Sequence, residues 1–329
     1  MSGANQTPNP LCGRLAPSPT GALHLGNART FLITWLSIRS RNGKLIYRLE
    51  DLDHPKVKAG AAEEAMQDLK WLGLDWDEGP DIGGPLKPYV QSARIPAYRA
   101  ALDRLIASGQ VYACICSRRD VETAQSAPQD GEDGLYYPGT CRDRFKDYQQ
   151  AQAALSPDRL PAWRFAAGSE STSFADGFHG AQTSVAKEDV GDFAIARHPD
   201  GAGYMLGVVV DDAAMGVTEI LRGDDLLATT HRQILLQSAL GLPTPEYIHV
   251  PLVVGPDGRR LAKRHGDTRI AEFRDQGISP SRIVGLLASW CGWASPGEEL
   301  MPSDLIQRFS LDAIPHHPIV LPEDLHLVS

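Results

Sequence analysis

The stretch Gly13-Arg-Leu-Ala-Pro-Ser-Pro-Thr-Gly-Ala-Leu-His24-Leu-Gly-Asn27 decides how the chain is read. A short strand runs into a turn broken by proline and glycine, and the turn delivers His24, Gly26 and Asn27 to the start of a helix. Ala28, Phe31, Leu32, Trp35 and Leu36 recur at i, i+3, i+4, i+7 and i+8, which predicts a helix with one buried face. Free backbone N–H groups and the positive end of the helix dipole make such a start a place to hold an anion. His24 adds a donor for a phosphate oxygen, and Gly26 lets a nucleotide lie against the backbone. The competing reading is an ordinary loop in which His24 and Asn27 only cap the helix.

Outward from this turn, Leu45, Tyr47 and Leu49 alternate with less apolar positions and predict a strand over Lys44–Glu50. It ends in Glu50-Asp51-Leu52-Asp53, carboxylates at the strand edge where open α/β sheets bind ligands. Helices are predicted over 59–72, with Ala62, Met66, Leu69 and Leu72 inward and Gly73 as the stop, and over 97–108. Strands alternating with helices indicate a parallel, doubly wound sheet. The rhythm breaks over 117–162, where a polar stretch from Ala124 to Gly134 is flanked by cysteines and reads as an insertion. Beyond it, the apolar run Tyr204–Val210 and Val217–Leu221 are predicted strands, with a helix from Thr229 or Thr230 to Gly241. His249–Val254 is predicted as a further strand, and Ser279 through Cys291 as a helix. The expected organisation is a first core half (1–112), an insertion (113–190), a second core half with a basic loop (191–265) and a short helical C-terminal segment (266–329).

Composition narrows the class. With 42% apolar and 22% charged residues, the 329-residue chain can bury a sizeable core as two domains or one elaborated α/β domain. No apolar run approaches a membrane span, and the N-terminus lacks a signal-peptide pattern. Five cysteines, an odd number, argue for a reducing compartment and a cytoplasmic protein. The net charge of −9 argues against a surface that coats polyanions, though a local basic patch remains compatible. Nothing in the sequence calls for an obligatory protein partner.

Two further constellations carry chemistry. Asp257-Gly258 makes a tight turn, and Arg259, Arg260, Lys263 and Arg264 follow; Arg260 and Lys263 would neutralise charge building on a triphosphate. Cys114-Ile-Cys116 and Cys141 offer three thiolates that, with a fourth ligand, suit tetrahedral zinc; three buried free thiols are the alternative. Cys12 and Cys291 have no partner in sequence and read as buried or inert.

Arg14–Gly21, His24–Asn27, Arg48–Asp53, Leu221–Leu226 and Arg260–Arg264 occur in an order that resembles the catalytic core of class I glutamyl-tRNA synthetases. The resemblance implies a Rossmann-like fold split by a zinc-bearing insertion. It also implies an ATP-dependent ligase, in which the glutamate carboxylate attacks the α-phosphate, pyrophosphate leaves, and an RNA hydroxyl takes the glutamyl group. Mg²⁺ would accompany ATP. His24, Asn27 and Lys263 would be catalytic, and Gly26 and Arg260 would join them around ATP. Arg14 and Arg222 would bind carboxylate, Glu50 the α-ammonium, and Ser18 and the Tyr204 hydroxyl would add neutral hydrogen bonds. The basic loop departs from the family, with Arg260 for its first lysine and Ala262 for its serine; Lys263 is retained.

Short members of the family carry a tyrosine four residues before the last cysteine, which implies Tyr137, rather than Tyr136, as the fourth zinc ligand. Gly266–Ser329 is too short for the family's anticodon-binding domain. The chain therefore resembles the short members that attach L-glutamate to queuosine in the anticodon loop of tRNA(Asp). Arg118, Arg119, Arg142, Arg144 and the 259–264 loop would then contact RNA phosphates. A minimal enzyme charging a tRNA 3′ end and a non-catalytic binder of glutamate or RNA are the alternatives.

Overall fold

Parallel pairing sets the frame of the computed structural model, which describes residues 10–52, 57–124, 136–197, 202–259, 261 and 268–322. β1 (Cys12–Leu15) runs parallel to β2 (Lys44–Tyr47), with Cys12 opposite Lys44 and Leu15 opposite Tyr47, and α1 (Leu25–Arg39) is the crossover. α2 (Ala61–Trp71) buries Ala61, Ala65 and Leu69, while Ala62 and Met66 lie half-buried at the margin of that face. Gly73, at φ +85°, stops it in a conformation that side chains resist. α3 (Ile95–Ala107) then buries Tyr98, Ala101, Leu102 and Leu105.

Between the core halves the chain turns antiparallel. β3 (Val111–Cys114), α4 (Arg118–Ala124), α5 (Tyr148–Ala153), β4 (Ala162–Phe165), β5 (Ser171–Asp176), β6 (Gly180–Val185) and β7 (Phe193–Ala196) follow in order. β3, β4 and β7 form one antiparallel sheet, and β5 and β6 form a hairpin. The polar stretch that marks the insertion lies mostly outside the described residues.

The second half contributes α6 (Tyr204–Ala214), β8 (Glu219–Gly223), α7 (Thr229–Leu240), β9 (Glu246–Val250) and β10 (Val253–Val254). β8 and β9 are parallel, Arg222 lying opposite His249, and β5 joins β9 where Asp176 faces Tyr247. The Thr218 N–H donates to the Cys12 carbonyl at 2.8 Å, which brings β8 beside β1. α8 (Ile270–Asp275), α9 (Pro280–Ser289), α10 (Pro302–Leu305) and β11 (Ile319–Val320) complete the chain, with β11 parallel to β10. No described helix is long and apolar enough to cross a membrane.

Three expectations need correction. Tyr204–Val210 is a helix, not a strand. It is packed between α3 and α7, so Leu206, Val208 and Val209 are all buried and no polar face marks its period. Secondly, α1 is buried around most of its circumference, Arg29, Thr34 and Ser37 included, because the sheet covers one side and α9 another. The main core runs through α1 into Ile283, Val284, Leu287, Leu305 and Ile314, so the C-terminal helices are part of its wall. Thirdly, strand limits shift: β2 stops at Tyr47, β8 begins at Glu219, and the strand expected over His249–Val254 divides into β9 and β10 around Pro251.

Candidate active site

The N-terminus of α1, the carboxyl ends of β1, β2 and β8, and the start of α6 enclose a cavity of about 300 Å³. Arg14, His24, Gly26, Asn27, Glu50, Tyr204 and Arg222 all line it, joined by Thr30 and Asp225. Ser18 does not line it: its side chain is exposed on the turn. Arg260, Ala262 and Lys263 lie outside the described residues, as does Asp53.

His24 caps α1. The Asn27 N–H donates to His24 Nδ1 at 3.3 Å, and burial lowers the ring's pKa to about 4. A neutral imidazole that accepts at Nδ1 carries its proton on Nε2, so capping leaves a donor on a cavity-lining residue. The two readings of His24 are thus compatible. A Cβ on Gly26 would stand 3.1 Å from His24 Cε1, so the close approach that glycine permits is to this ring.

Behind the cavity wall lies a buried ion network. Arg48 donates through Nη2 to Glu50 at 2.8 Å and through Nη1 to Asp212 at 2.7 Å. Arg14 Nε lies 3.5 Å from the same Asp212 carboxylate. Burial pulls the Arg48 pKa down, but Asp212, Glu50 and Asp211 outweigh it and hold the pKa well above its ordinary value. Burial raises Glu50 against the pull of Arg48 and Arg14. Asp211 accepts from Arg94 Nε at 2.5 Å, Tyr98 Oη at 2.7 Å and Gln91 Nε2 at 3.0 Å, which anchors the network to α3. The roles of Arg48 and Asp212 escaped the sequence reading. Their signal was Asp211-Asp212 interrupting an apolar run, a cost a chain bears only where cations face it.

Arg222 differs. Among the described residues no carboxylate pairs with it, its Nη1 has no hydrogen-bond partner, and burial lowers its pKa. A pocket with one acid-braced guanidinium, one uncompensated guanidinium and a carboxylate suits a zwitterion that bears an additional anionic group.

The second constellation sits beside the β3–β4–β7 sheet. The sulfurs of Cys114, Cys116 and Cys141 lie within 4.8 Å of one another. Tyr137 Oη is 3.4 Å from Cys114 Sγ and from Cys116 Sγ, and accepts from the Cys141 N–H at 2.8 Å. Tyr136 is directed elsewhere, donating to the Lys187 carbonyl at 2.8 Å. Three sulfurs and a phenol converging on one point fit a tetrahedral metal, and Cys114 also accepts from Arg164 Nε at 3.2 Å. Cys12 and Cys291 are both buried, each packed in a different hydrophobic cluster from these cysteines, and burial pushes the Cys12 thiol up to about 11. Arg142 is bound to Asp192 and to the Ala167 carbonyl, and its side chain stays 34% exposed.

Residues 11–316 match the family model described as "tRNA synthetases class I (E and Q), catalytic domain". The chain is 49% identical over 315 residues to a Symbiobacterium thermophilum protein named glutamyl-Q tRNA(Asp) synthetase, covering 95% of this chain and 97% of that one. A protein of the same name from Nitratidesulfovibrio vulgaris is 44% identical, with 95% and 96% covered. In fold, the chain is similar to a crystal structure of a glutamate tRNA ligase from Elizabethkingia meningosepticum, with a TM-score of 0.79 at 23% identity, covering 95% of this chain and 67% of that one. On the length and identity of these matches, the chain belongs to the class I (E and Q) tRNA synthetase family and is a ligase of the aminoacyl-tRNA synthetase type.

Proposed function

We propose that this glutamate–tRNA ligase-type enzyme activates L-glutamate with ATP and transfers it to queuosine in the anticodon loop of tRNA(Asp). The observation that carries the reading is near-full-length identity, 49% and 44%, to two proteins whose names state that specificity. The cavity is its physical support. Arg14 and Arg222 would take the substrate's carboxylates, Glu50 its ammonium, and Tyr204 and Ser18 would supply neutral hydrogen bonds, Ser18 only after its turn moves inward. His24 Nε2–H, the Asn27 and Gly26 backbone and the basic loop with Arg260 and Lys263 would hold the phosphates of Mg²⁺-bound ATP. Their work is electrostatic: preorganised donors and charge where negative charge builds on the α-phosphate.

Cys114, Cys116, Cys141 and Tyr137 would hold one Zn²⁺ per chain, which would act as a structural brace. Residues 113–190 would form the zinc-bearing insertion between core halves 1–112 and 191–265, with 266–329 as the C-terminal segment, and the enzyme would work in the cytoplasm. A second cavity of about 290 Å³, lined by Arg164, Arg197, Tyr204 and Arg232, adjoins the first through Tyr204 and offers room for an acceptor nucleoside.

The test is glutamylation of tRNA(Asp) with and without queuosine, and of queuosine-bearing tRNA(Asp) stripped of its 3′-terminal adenosine. Acceptance that needs queuosine and ignores the missing adenosine supports the reading. Acceptance that needs the adenosine and ignores queuosine would make the enzyme an ordinary 3′-end charger.

A further inference from the structure

Arg222 is held in place without being neutralised, and the group that does so is a buried histidine outside the cavity. Arg222 Nε–H donates to His249 Nε2 at 2.9 Å, and Arg222 Nη2 donates to Thr230 Oγ1 at 2.8 Å. His249 Nδ1 lies 2.6 Å from Asp176 Oδ2, and both side chains are 0% exposed. Asp176 is itself fixed: its Oδ1 accepts from the N–H groups of Phe178 at 3.0 Å and His179 at 2.9 Å. With Nε2 accepting from Arg222, the imidazole proton must sit on Nδ1 and face the Asp176 carboxylate. Burial lowers the His249 pKa to about 4, consistent with a neutral ring.

We propose that His249 is a positioning residue for amino-acid selection: Asp176 fixes its Nδ1–H tautomer, and Nε2 then orients Arg222 with its full charge available to the substrate carboxylate. The proposal rests on the reading of Arg222 as a carboxylate-binding residue. The physical point is the choice of acceptor. An aspartate in place of His249 would hold the guanidinium as firmly, but it would cancel the charge that substrate must meet. A neutral acceptor orients without competing, and the unpartnered Nη1 of Arg222 is the position left for a ligand oxygen. The arrangement also ties the pocket to the β5–β6 hairpin, because Asp176 is the residue at which β5 meets β9.

Two isosteric variants separate orientation from simple packing. The amide oxygen of His249→Gln can occupy the place of Nε2 and accept from Arg222, whereas His249→Asn reaches only the place of Nδ1 and leaves Arg222 Nε unpaired. In ATP–pyrophosphate exchange, His249→Asn should raise KM for glutamate about 10- to 100-fold and His249→Gln about threefold or less, with KM for ATP little changed in both. Equal effects of the two variants, or a parallel rise in KM for ATP, would overturn the proposal. A second arm needs no activity: ¹⁵N NMR of histidine-labelled wild-type protein at neutral pH should show an Nδ1–H tautomer whose signal is lost in both variants. An Nε2–H tautomer there would refute the proposal. Wild-type protein giving no glutamate-dependent exchange would instead refute the proposed function, and the NMR arm would still decide the positioning.

Discussion

The two arginines that face the cavity are built in opposite ways. Arg14 belongs to a chain of alternating charges, with Asp212 beside it and Arg48 and Glu50 beyond. Among the described residues, Arg222 rests on neutral groups, His249, Thr230 and the Leu226 carbonyl, with Tyr247 ring-on at 5.4 Å. The difference teaches how a buried pocket can keep a fixed frame and still attract an anion. The braced cation contributes geometry, because its field is largely cancelled by its neighbours. The unbraced cation contributes charge, and the folded protein bears the desolvation cost until substrate arrives.

The comparison breaks most sharply at Arg222. Arg222→Ala should reduce kcat/KM for glutamate about a thousandfold, equivalent to about 4 kcal/mol, while thermal stability changes little because a buried unpaired charge has gone. Asp212→Asn should show the reverse balance: activity falls too, but unfolding measurements should register a loss of about 3 kcal/mol or more, since Arg48 loses a charged partner in a fully buried site. Equal stability losses in the two variants would contradict the distinction.

The Cys–Tyr cluster gives the next largest effect. Cys141→Ser should drop bound zinc from about one per chain to a small fraction and lower Tm, because a structural site contributes its binding energy to folding. Glutamate-dependent exchange should survive within a few-fold, as the cluster lies on the β3–β4–β7 side and, among the described residues, none of its four members lines the cavity that holds Arg14 and Arg222. Full zinc occupancy in the variant, measured by metal analysis, would count against the ligand set.

Acid titration sharpens the contrast at smaller scale. His249 has a folded pKa of about 4 against an ordinary 6.5, so the unfolded chain binds the extra proton first. Its contribution is complete above pH 6.5 and is lost as pH falls from there towards 4, at up to about 1.4 kcal/mol per pH unit. Denaturant unfolding across that window should be less steep with pH in His249→Gln than in wild type. The smallest effect is expected at Gly26→Ala. Helix propensity favours alanine by up to about 1 kcal/mol, and displacement of the His24 cap costs about the same, so stability should stay near wild type. KM for ATP should nevertheless rise, because the His24 ring must shift.

How far the sequence could be read follows from the range of the contacts involved. The cysteine cluster spans residues 114–141 and its spacing alone exposed it. The turn before α1 was equally local, since the cap joins His24 to Asn27. Arg14, Glu50 and Arg222 come from distant segments and were placed together only by resemblance of ordered motifs. Their supports, Asp212 and His249, sit 164 residues from Arg48 and 27 from Arg222, and no local pattern announces such pairs. The misread strand at Tyr204–Val210 has the same origin: with Leu206–Val209 buried in succession the apolar run shows no period, and only the neighbouring α3 and α7 explain it. Arg142 adds a contact of the same long range, since its ion pair with Asp192 joins residues 50 apart in sequence.

The central claim is that this cavity selects glutamate by charge. ATP–pyrophosphate exchange by the purified chain, without RNA, with glutamate and glutamine compared, tests it most directly. Glutamate should support exchange and glutamine should be at least about a hundredfold poorer in kcat/KM, because the amide leaves a buried guanidinium unanswered. Equal exchange with the two amino acids would contradict the account.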